Sequence, residues 1–487
     1  MSYRGSDAVL VVSPEERAEA IHFAVSGLEE AFPDASSRRP IVTWQWRAVA
    51  ALAAVFAVLV VLYPITTLSV LGSSAVLFYL VILATRLVIA TVGLRRLERP
   101  DARSFPPVPD DDLPRYSVLM PAYHEPEVLA RLLDGVVKVD YPADQLEILL
   151  LLEEDDEETI AALHAVEVPD MITVVMVPAE GPRTKPKACN YGLYFATGDI
   201  ITIYDAEDLP DADQLRMAAS AFEMGGEHLA CVQARLDYFN ERQNLLTKWF
   251  TLDYLTWFAC FLPGLDRLAL PIPLGGTSNH MRAPLLRELA GWDPYNVTED
   301  ADLGMRIYRL GYTTSVIPSV TLEEANSDAI NWIRQRSRWY KGYAITTAVL
   351  FRNPRQAVAE LGWVGAAIAL LLIGATPVLA ALNLFTWLIT AAFFIGVPAS
   401  WEAIFPQWVV ILGVMSFVIG NATVAYLSLL TAMAAKRPRL LWAALTYPIY
   451  WLLMAIAAVK AMYQLVVKPS YWEKTVHGLS SDEEVSA

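Results

Sequence analysis

The chain has 487 residues, with 37 Lys plus Arg against 53 Asp plus Glu, a formal net charge of −16. Only 18% of residues are charged and 55% are hydrophobic, whereas an ordinary soluble domain is about 25% charged. This excludes a disordered chain and a purely soluble globule, and the acidic balance argues against a nucleic-acid partner. Cys189, Cys231 and Cys260 stand at no metal-ligand or redox spacing, which argues against a disulfide framework or zinc site.

In chain order, residues 1–46 are polar. Ser13-Pro14-Glu15-Glu16 combines an N-cap, a Pro in the first turn and a Glu at N3, and predicts a helix to about Phe32. Residues 47–94 follow, with Arg86 the single ionised side chain between Arg47 and Arg95. That run is long enough for two crossings of an approximately 30 Å hydrocarbon layer. It predicts a transmembrane helix pair with its turn near 64–71. Arg38, Arg39 and Arg47 before it, and Arg95, Arg96 and Arg99 after it, put both flanks in the cytoplasm.

The polar segment 100–325 reads as an α/β domain. Tyr116–Met120, Leu146–Leu152, Met171–Val177 and Ile200–Tyr204 are the expected strands. Helices are expected over Lys187–Thr197 and around Val128, Leu132, Val136 and Val137. The Leu146–Leu152 run has the continuous apolar character of a parallel strand buried on both faces. Ligands of such a sheet bind at its carboxyl ends. Glu153-Glu154-Asp155-Asp156 and Asp205-Ala206-Glu207-Asp208 stand there, and crowded carboxylates of this kind suit Mg²⁺ or Mn²⁺. The basic run Arg183–Lys187, at the start of the helix holding Asn190, suits an anionic ligand.

Gly275-Gly276-Thr277, Thr298-Glu299-Asp300 and Gln335-Arg336-Ser337-Arg338-Trp339 follow. Residues 326–355 mix aromatics with arginines, as an interfacial helix does, and place Gln335, Arg338 and Trp339 on one face. Residues 243–266 read as a second interfacial helix. The apolar residues 360–467 supply further spans over 361–401, 407–435 and 440–467, with breaks at Pro377 and Pro448. Six spans in all is the expected count. Lys436, Arg437 and Arg439 then fall on the outer side, against the positive-inside rule, whereas five spans put them inside. The tail, 468–487, contains Tyr471–Gly478, which has no evident physical role.

Taken in order, M-P-A-Y-H-E, the acidic strand end, K-A-x-N, the D-x-D-like element, G-G-T, T-E-D and Q-x-x-R-W resemble the membrane-integrated family 2 glycosyltransferases, the cellulose, hyaluronan and chitin synthase group. The resemblance implies a Rossmann-like GT-A domain inserted between transmembrane segments of a plasma-membrane protein, facing the cytoplasm. It implies Tyr123 and Glu125 beside the nucleotide base, Glu153 or Glu154 on the nucleoside, and Lys187 and Asn190 near the diphosphate. Asp205 with Glu207 or Asp208 would hold the divalent cation and Asp300 would be the general base. Gln335, Arg338 and Trp339, with Gly276, Thr277 and Glu299, would shape the acceptor and diphosphate site. Asp300 also reads as an N-cap of a helix beginning at Ala301. The implied partners are a nucleotide-sugar donor, a growing glycan and the bilayer, with a homo-oligomer or an envelope-polysaccharide complex as wider settings. The expected activity is processive β-glycan synthesis coupled to export. The alternatives are transfer of one sugar to a membrane lipid and an inactive scaffold of a polysaccharide-producing complex.

Overall fold

A computed structural model describes residues 3–4, 8–98, 105–126, 129, 138–165, 168–396 and 407–469. Most of the helix expected around Val128–Val137 and the whole Tyr471–Gly478 motif lie outside the described residues. The centre of the fold is an eight-stranded sheet. Its strands are β1 (Tyr116–Ala122), β2 (Leu146–Glu153), β3 (Ile172–Val177), β4 (Ile200–Ile203), β5 (Leu209–Pro210), β6 (Leu229–Tyr238), β7 (Asn279–Arg282) and β8 (Thr313–Glu323).

The order across the sheet is β3-β2-β1-β4-β7-β6-β8-β5. The four strands expected from the sequence are all present and run parallel to one another. β7 is antiparallel to both β4 and β6, while β8 runs parallel to β6. β2 is apolar throughout because both its faces are covered; Ile148, Leu150, Leu151 and Leu152 have no exposed surface. The order reverses between β1 and β4, so the crevice of an open α/β sheet falls at their carboxyl ends.

Helix α1 (Pro14–Ala31) begins with the expected capping box between Ser13 and Glu16. It lies on the sheet domain, tied by Arg17 to Glu154 at 2.6 Å and by Glu19 to Tyr194 at 2.7 Å. α2 (Thr43–Leu62) and α3 (Pro64–Glu98) form the expected hairpin, but its turn is at Tyr63 rather than across 64–71. Pro64 opens α3, where the missing N–H costs nothing, and the polar residues that looked like a turn are helical: Thr67 Oγ1 donates to the Leu59 carbonyl at 3.0 Å.

Helix α4 (Lys185–Phe195) packs against β1 and β2. α5 (Leu245–Thr256) runs through a π-helical turn at Trp257–Phe261 into Leu262–Arg267. α6 (Glu299–Arg309) precedes β8, and α7 (Ala329–Leu350) follows it. α8 starts at Pro354, kinks at Gly362, where the backbone is non-helical (φ 68°), passes a π turn at Leu370–Gly374 and continues to Ile395. α9 (Gln407–Ala434) and α10 (Leu441–Val467) complete the described chain.

Among the described residues, five helices are long and apolar enough to cross a membrane, not six. The difference lies in α8, where Pro377 does not reverse the chain; the wide π turn just ahead of it accommodates its lost hydrogen bond. Arg437, between α9 and α10, pairs with Asp237 at the end of β6 and with Glu241 at 3.1 Å. Its loop therefore lies against the α/β domain, as the five-helix alternative requires. α2 exposes Val49, Leu52, Val55, Val58 and Leu62, a surface that needs an apolar solvent.

The surface-lying character expected of residues 326–355 is not what the structure has. Trp332, Tyr340 and Lys341 of α7 are buried, with Trp332 4.9 Å from the Tyr450 ring of α10. Arg336 does not snorkel. It pairs with Asp253 at 2.5 Å and stands over the rings of Trp339 (4.5 Å), Phe250 and Trp332 (both 5.3 Å). The 243–266 stretch is likewise interior, with Leu246, Trp249, Phe250 and Leu252 of α5 buried.

α3 and the π-turn segment meet backbone to backbone. A Cβ on Gly93 would stand 1.7 Å from the Cys260 carbonyl oxygen, and one on Gly264 2.2 Å from that of Ile89. Small residues make such an approach feasible. Gly93→Ala is therefore expected to lower stability by about 1–3 kcal/mol through overpacking. Thermal unfolding followed by a thiol-reactive dye reads this directly, since Cys189, Cys231 and Cys260 are all buried and free; an unchanged midpoint would contradict the close contact.

Candidate active site

The carboxyl ends of β1, β2 and β4 open on a cavity of about 1160 Å³. Tyr123 and Glu125 line it just beyond β1, and Glu153 closes β2 beside them. His124 between them has φ 53°, and Ser278 after Thr277 has the same value. Non-glycine residues seldom adopt this conformation, and where they do they cluster at functional sites. The cavity continues past Asp205, Glu207, Gly276, Thr277, Glu299 and Asp300 to Gln335, Arg338 and Trp339, and then between α3, α8 and α9.

Asp205 follows β4 directly and meets the Lys185 ammonium at 2.5 Å. Lys185 also donates to the Gly276 carbonyl at 2.7 Å. Burial opposes the charge on Lys185, but Asp205 and Glu299 more than offset it, so the ammonium is held above its ordinary range. A Cβ on Gly276 would stand 3.5 Å from Asp300 Oδ2 and 3.8 Å from Lys185 Nζ. Gly276 thus leaves room between the base candidate and the lysine.

Glu299 and Asp300 occupy the first turn of α6 behind Thr298, where the helix dipole favours negative charge. The helix starts before Asp300, so Asp300 is not its cap; its Oδ1 accepts the Ala301 N–H at 2.7 Å and its side chain faces the cavity. Burial and the Asp300 charge push Glu299 up to about 8, while burial raises Asp300 to about 6. Glu299 is raised further than Asp300, so Asp300 is the readier of the two to give up its proton. Gln335, Arg338 and Trp339 all line the cavity, as their shared helix face requires. Burial lowers Arg338, and Glu299, Asp300 and Asp205 counter that. The Trp339 ring stacks near Tyr254, centroids 6.1 Å apart, and Gln335 accepts from Asn326 Nδ2 at 2.9 Å.

The remaining expected residues sit elsewhere. Lys187 is fully buried, bonded to Glu153 at 2.7 Å and to the Pro178 carbonyl at 2.8 Å. It braces the end of β2 from beneath and does not line the cavity. Asn190 grips the backbone of Trp292, donating to its carbonyl at 2.7 Å and accepting its N–H at 2.8 Å. Both residues lie on the α4 face turned away from the cavity. Glu154 points outward to Arg17 and the Ala179 N–H, so of the two strand-end acids only Glu153 lines the cavity. Asp208 turns back into its own loop, accepting the Asp205 N–H at 2.7 Å and bonding Thr277 Oγ1. Burial, then the charge of Asp205 and Glu207, push it well above the carboxylate range. It shapes the loop and leaves Asp205 and Glu207 as the facing pair.

Glu323, at the end of β8, was not singled out by its sequence. It lines the same cavity, and burial with the charges of Asp208, Glu207 and Asp205 pushes it well above its ordinary value. Among the described residues no group of three or more His, Cys, Asp or Glu is arranged to hold a metal alone. Asp205 and Glu207 nevertheless fit a divalent cation that takes its other ligands from substrate phosphates and water. The observation that carries the fit is the surplus of negative charge around them, for which the Lys185 ammonium is the cation in place on Asp205.

Two lysines two residues apart therefore have separable roles. Lys187→Met leaves Glu153 buried without its partner and is expected to cost about 3–5 kcal/mol of stability. Lys185→Met is expected to destabilise less than Lys187→Met, because the Lys185–Asp205 pair keeps some exposure where Lys187 has none, while losing nucleotide affinity. Calorimetric binding of UDP and GDP alongside thermal unfolding checks the pair; the reverse pattern would exchange the assignments.

The family model described as "Glycosyltransferase like family 2" matches residues 114–342. "Probable glycosyltransferase YdaM" of Bacillus subtilis is 29% identical over 237 residues, 47% of this chain and 56% of that protein. "Beta-monoglucosyldiacylglycerol synthase" of Trichormus variabilis is 29% identical over 238 residues, 47% of this chain and 49% of that protein. The chain thus spans about half the length of the curated relatives it matches. Mannosyltransferase PcManGT from Pyrobaculum calidifontis, solved in complex with GDP-Man and Mn2+, aligns with a TM-score of 0.50 at 20% identity, covering 80% of this chain and 99% of that one. At that identity the likeness speaks for the fold, which is the GT-A-like α/β arrangement that the sequence motifs led one to expect. Residues 114–342 thus resemble a family 2 glycosyltransferase domain, and long apolar helices flank that stretch on both sides.

Proposed function

We propose that the protein transfers a sugar from a nucleotide-sugar donor to a hydroxyl of a lipid held in the membrane, with inversion at the anomeric carbon. One observation carries this reading: the cavity that holds Asp300 and Trp339 continues between α3, α8 and α9, where Leu71, Ile82, Leu379, Val414 and Leu427 form its walls. The apolar majority of this wall suits a lipid chain, while Arg86, Thr376, Asn383, Thr390 and Ser416 on the same wall are the groups that could meet hydroxyls or a polar head.

Tyr123, Glu125 and Glu153 are placed for the nucleoside, with Lys187 holding Glu153 in position. Lys185, Arg183 and Arg338 are the cations available to the diphosphate. Asp205 and Glu207 would hold a divalent cation, which when bound supplies charge neutralisation to the leaving nucleoside diphosphate. Asp300, ionised at neutral pH, removes the proton of the acceptor hydroxyl as that oxygen attacks the anomeric carbon from the face opposite the leaving group. The nucleoside diphosphate departs with the bonding pair, so an α-linked donor yields a β-linked product. Glu299, raised by burial and by Asp300, holds its proton the more readily of the two, which favours the ionised form of Asp300. Trp339 offers the acceptor sugar or head group an apolar face. The α/β domain and the basic residues Arg38, Arg39, Arg47 and Arg437 belong on the cytoplasmic side of the plasma membrane, where nucleotide sugars are made.

A second reading, processive elongation of a β-linked polysaccharide with export, is favoured by Gln335, Arg338 and Trp339 standing together on one face at the mouth of the same passage. Product size separates the two. Purified protein in nanodiscs is given radiolabelled UDP- and GDP-sugars with Mg²⁺ or Mn²⁺. Label that extracts into butanol supports the lipid acceptor; label in a high-mass, glycosidase-sensitive polymer overturns it in favour of the synthase.

Asp300→Asn is expected to lower kcat by about 10²–10⁴-fold with donor affinity kept. In the wild type, activity should rise with pH through about 6 as Asp300 loses its proton, and fall as it gains one below that. A flat acid limb between pH 5 and 7 would remove Asp300 from the base role, and an Asp300→Asn enzyme of full activity would do the same.

A further inference from the structure

Arg86 is the charged residue of the hairpin segment, and nothing in the reaction as derived uses it. It lies on α3 and lines the same cavity as Asp300. Its Nη2 donates to Thr376 Oγ1 of α8 at 2.7 Å. Its Nε is shielded from solvent and has no hydrogen-bond partner among the described residues. The titratable groups acting on it are Tyr340, Asp253, Tyr343 and Tyr79. Asp253 is already committed to Arg336 at 2.5 Å and to the Tyr447 hydroxyl at 2.9 Å, so the positive charge of Arg86 is left uncompensated.

An isolated cation in an apolar segment is expensive, and such residues mark ligand sites more often than packing. Helix–helix bonding explains the contact with Thr376, but a threonine hydroxyl asks for no charge. Height in the membrane identifies the missing anion. Arg86 is 22 residues beyond Pro64 on one helix, a rise of about 33 Å, against a hydrocarbon thickness of about 30 Å. With Pro64 at the outer boundary this would bring Arg86 near head-group level on the side of the α/β domain, one turn before the Ile89 contact and two before the Gly93 contact with the Trp257–Arg267 segment.

Tyr343 links this position to the chemistry. It lines the cavity together with Asp300 and Arg86, and on α7 it lies one turn beyond Trp339. A ligand reaching from Asp300 past Tyr343 would meet Arg86 where its polar head joins its apolar chain.

We propose that Arg86 binds a phosphate of the lipid acceptor, placed between its apolar chain and the hydroxyl presented to Asp300. The inference rests on the lipid-acceptor reading above and narrows it to phosphate-bearing lipids. Arginine suits the task because its planar fork matches phosphate oxygens. A glycerophospholipid and a polyprenyl-diphosphate-linked sugar share this chemistry.

The test presents three acceptors in neutral polyoxyethylene micelles: diacylglycerol, phosphatidylglycerol and polyprenyl-diphosphate-linked N-acetylglucosamine. Transfer to one of the two phosphate carriers, and not to diacylglycerol, is expected, and the one used identifies the source. Arg86→Gln should raise the acceptor KM at least tenfold with kcat within threefold, and Arg86→Lys should recover most of the loss. Thr376→Val removes the helix–helix bond and keeps the cation, so it should leave the acceptor KM near wild type; UDP affinity confirms that each variant is folded. Diacylglycerol accepted equally by wild type and Arg86→Gln would overturn the phosphate site and leave the lipid-acceptor reading standing. A Thr376→Val enzyme as impaired as Arg86→Gln would make Arg86 a packing residue. Polymer formed with no lipid labelled would overturn the reading on which the inference depends.

Discussion

The competition between like charges on the cavity floor organises this protein. Asp205, Glu207, Glu299, Asp300 and Glu323 face one enclosed space, with Lys185 and Arg338 as the cations set among them. Carboxylates crowded out of water repel one another, and the fold relieves this in two ways. Asp208, Glu299 and Glu323 move toward their protonated forms, and Lys185 bonds Asp205. Asp300 is raised less than Glu299, and Asp205 and Glu207 line the cavity beside Lys185; on the proposed reading these are the base and the cation-binding pair. A donor diphosphate arriving with its own metal would release Lys185 from Asp205 and engage it on phosphate, so that donor binding and charge balance become one event.

The rest of the architecture holds that floor against the apolar helices. β1, β2 and β4 deliver their carboxyl ends to one crevice. α7 returns from β8 with Gln335, Arg338 and Trp339 on the cavity side and Trp332 and Tyr340 against the helical bundle. The Arg437–Asp237 pair and the close approach of Gly93 to Cys260 fix α3 and α9 to the same domain. The catalytic crevice and the passage between the helices are thereby one continuous space. On the lipid-acceptor reading, a membrane-embedded acceptor would reach Asp300 without leaving its solvent.

Much of this was legible in the sequence. The four parallel strands announced themselves as apolar runs, and the Asp205, Asp300 and Gln335–Trp339 positions follow strand ends and helix faces that periodicity defines. Periodicity also explains what was misplaced. Lys185 and Ala188 share the cavity face of α4, while Lys187 and Asn190, about 200° and 500° further round at 100° per residue, face the protein interior. A motif read as a string does not carry that phase, and the phase was available only once the start of the helix was fixed at Lys185. Glu153 and Glu154 separate for the analogous reason in a strand, where neighbouring side chains point to opposite faces. Glu323 had no local signal, because its place on the cavity wall depends on β8 pairing with β6, where Glu323 stands opposite Tyr238. The span count failed at Pro377, since a proline marks a lost hydrogen bond and the π turn that absorbs the loss has no composition of its own.

The most direct test of the charge account is a cryo-EM structure of the Asp300→Asn protein in nanodiscs with a nucleotide-sugar donor and Mn²⁺. The ion should lie between the Asp205 and Glu207 carboxylates and the donor diphosphate, with the Lys185 ammonium moved from Asp205 onto a phosphate oxygen and Lys187 still on Glu153. An ion held by Asp208 or Glu154, or a diphosphate seated on Lys187 and Asn190, would contradict it.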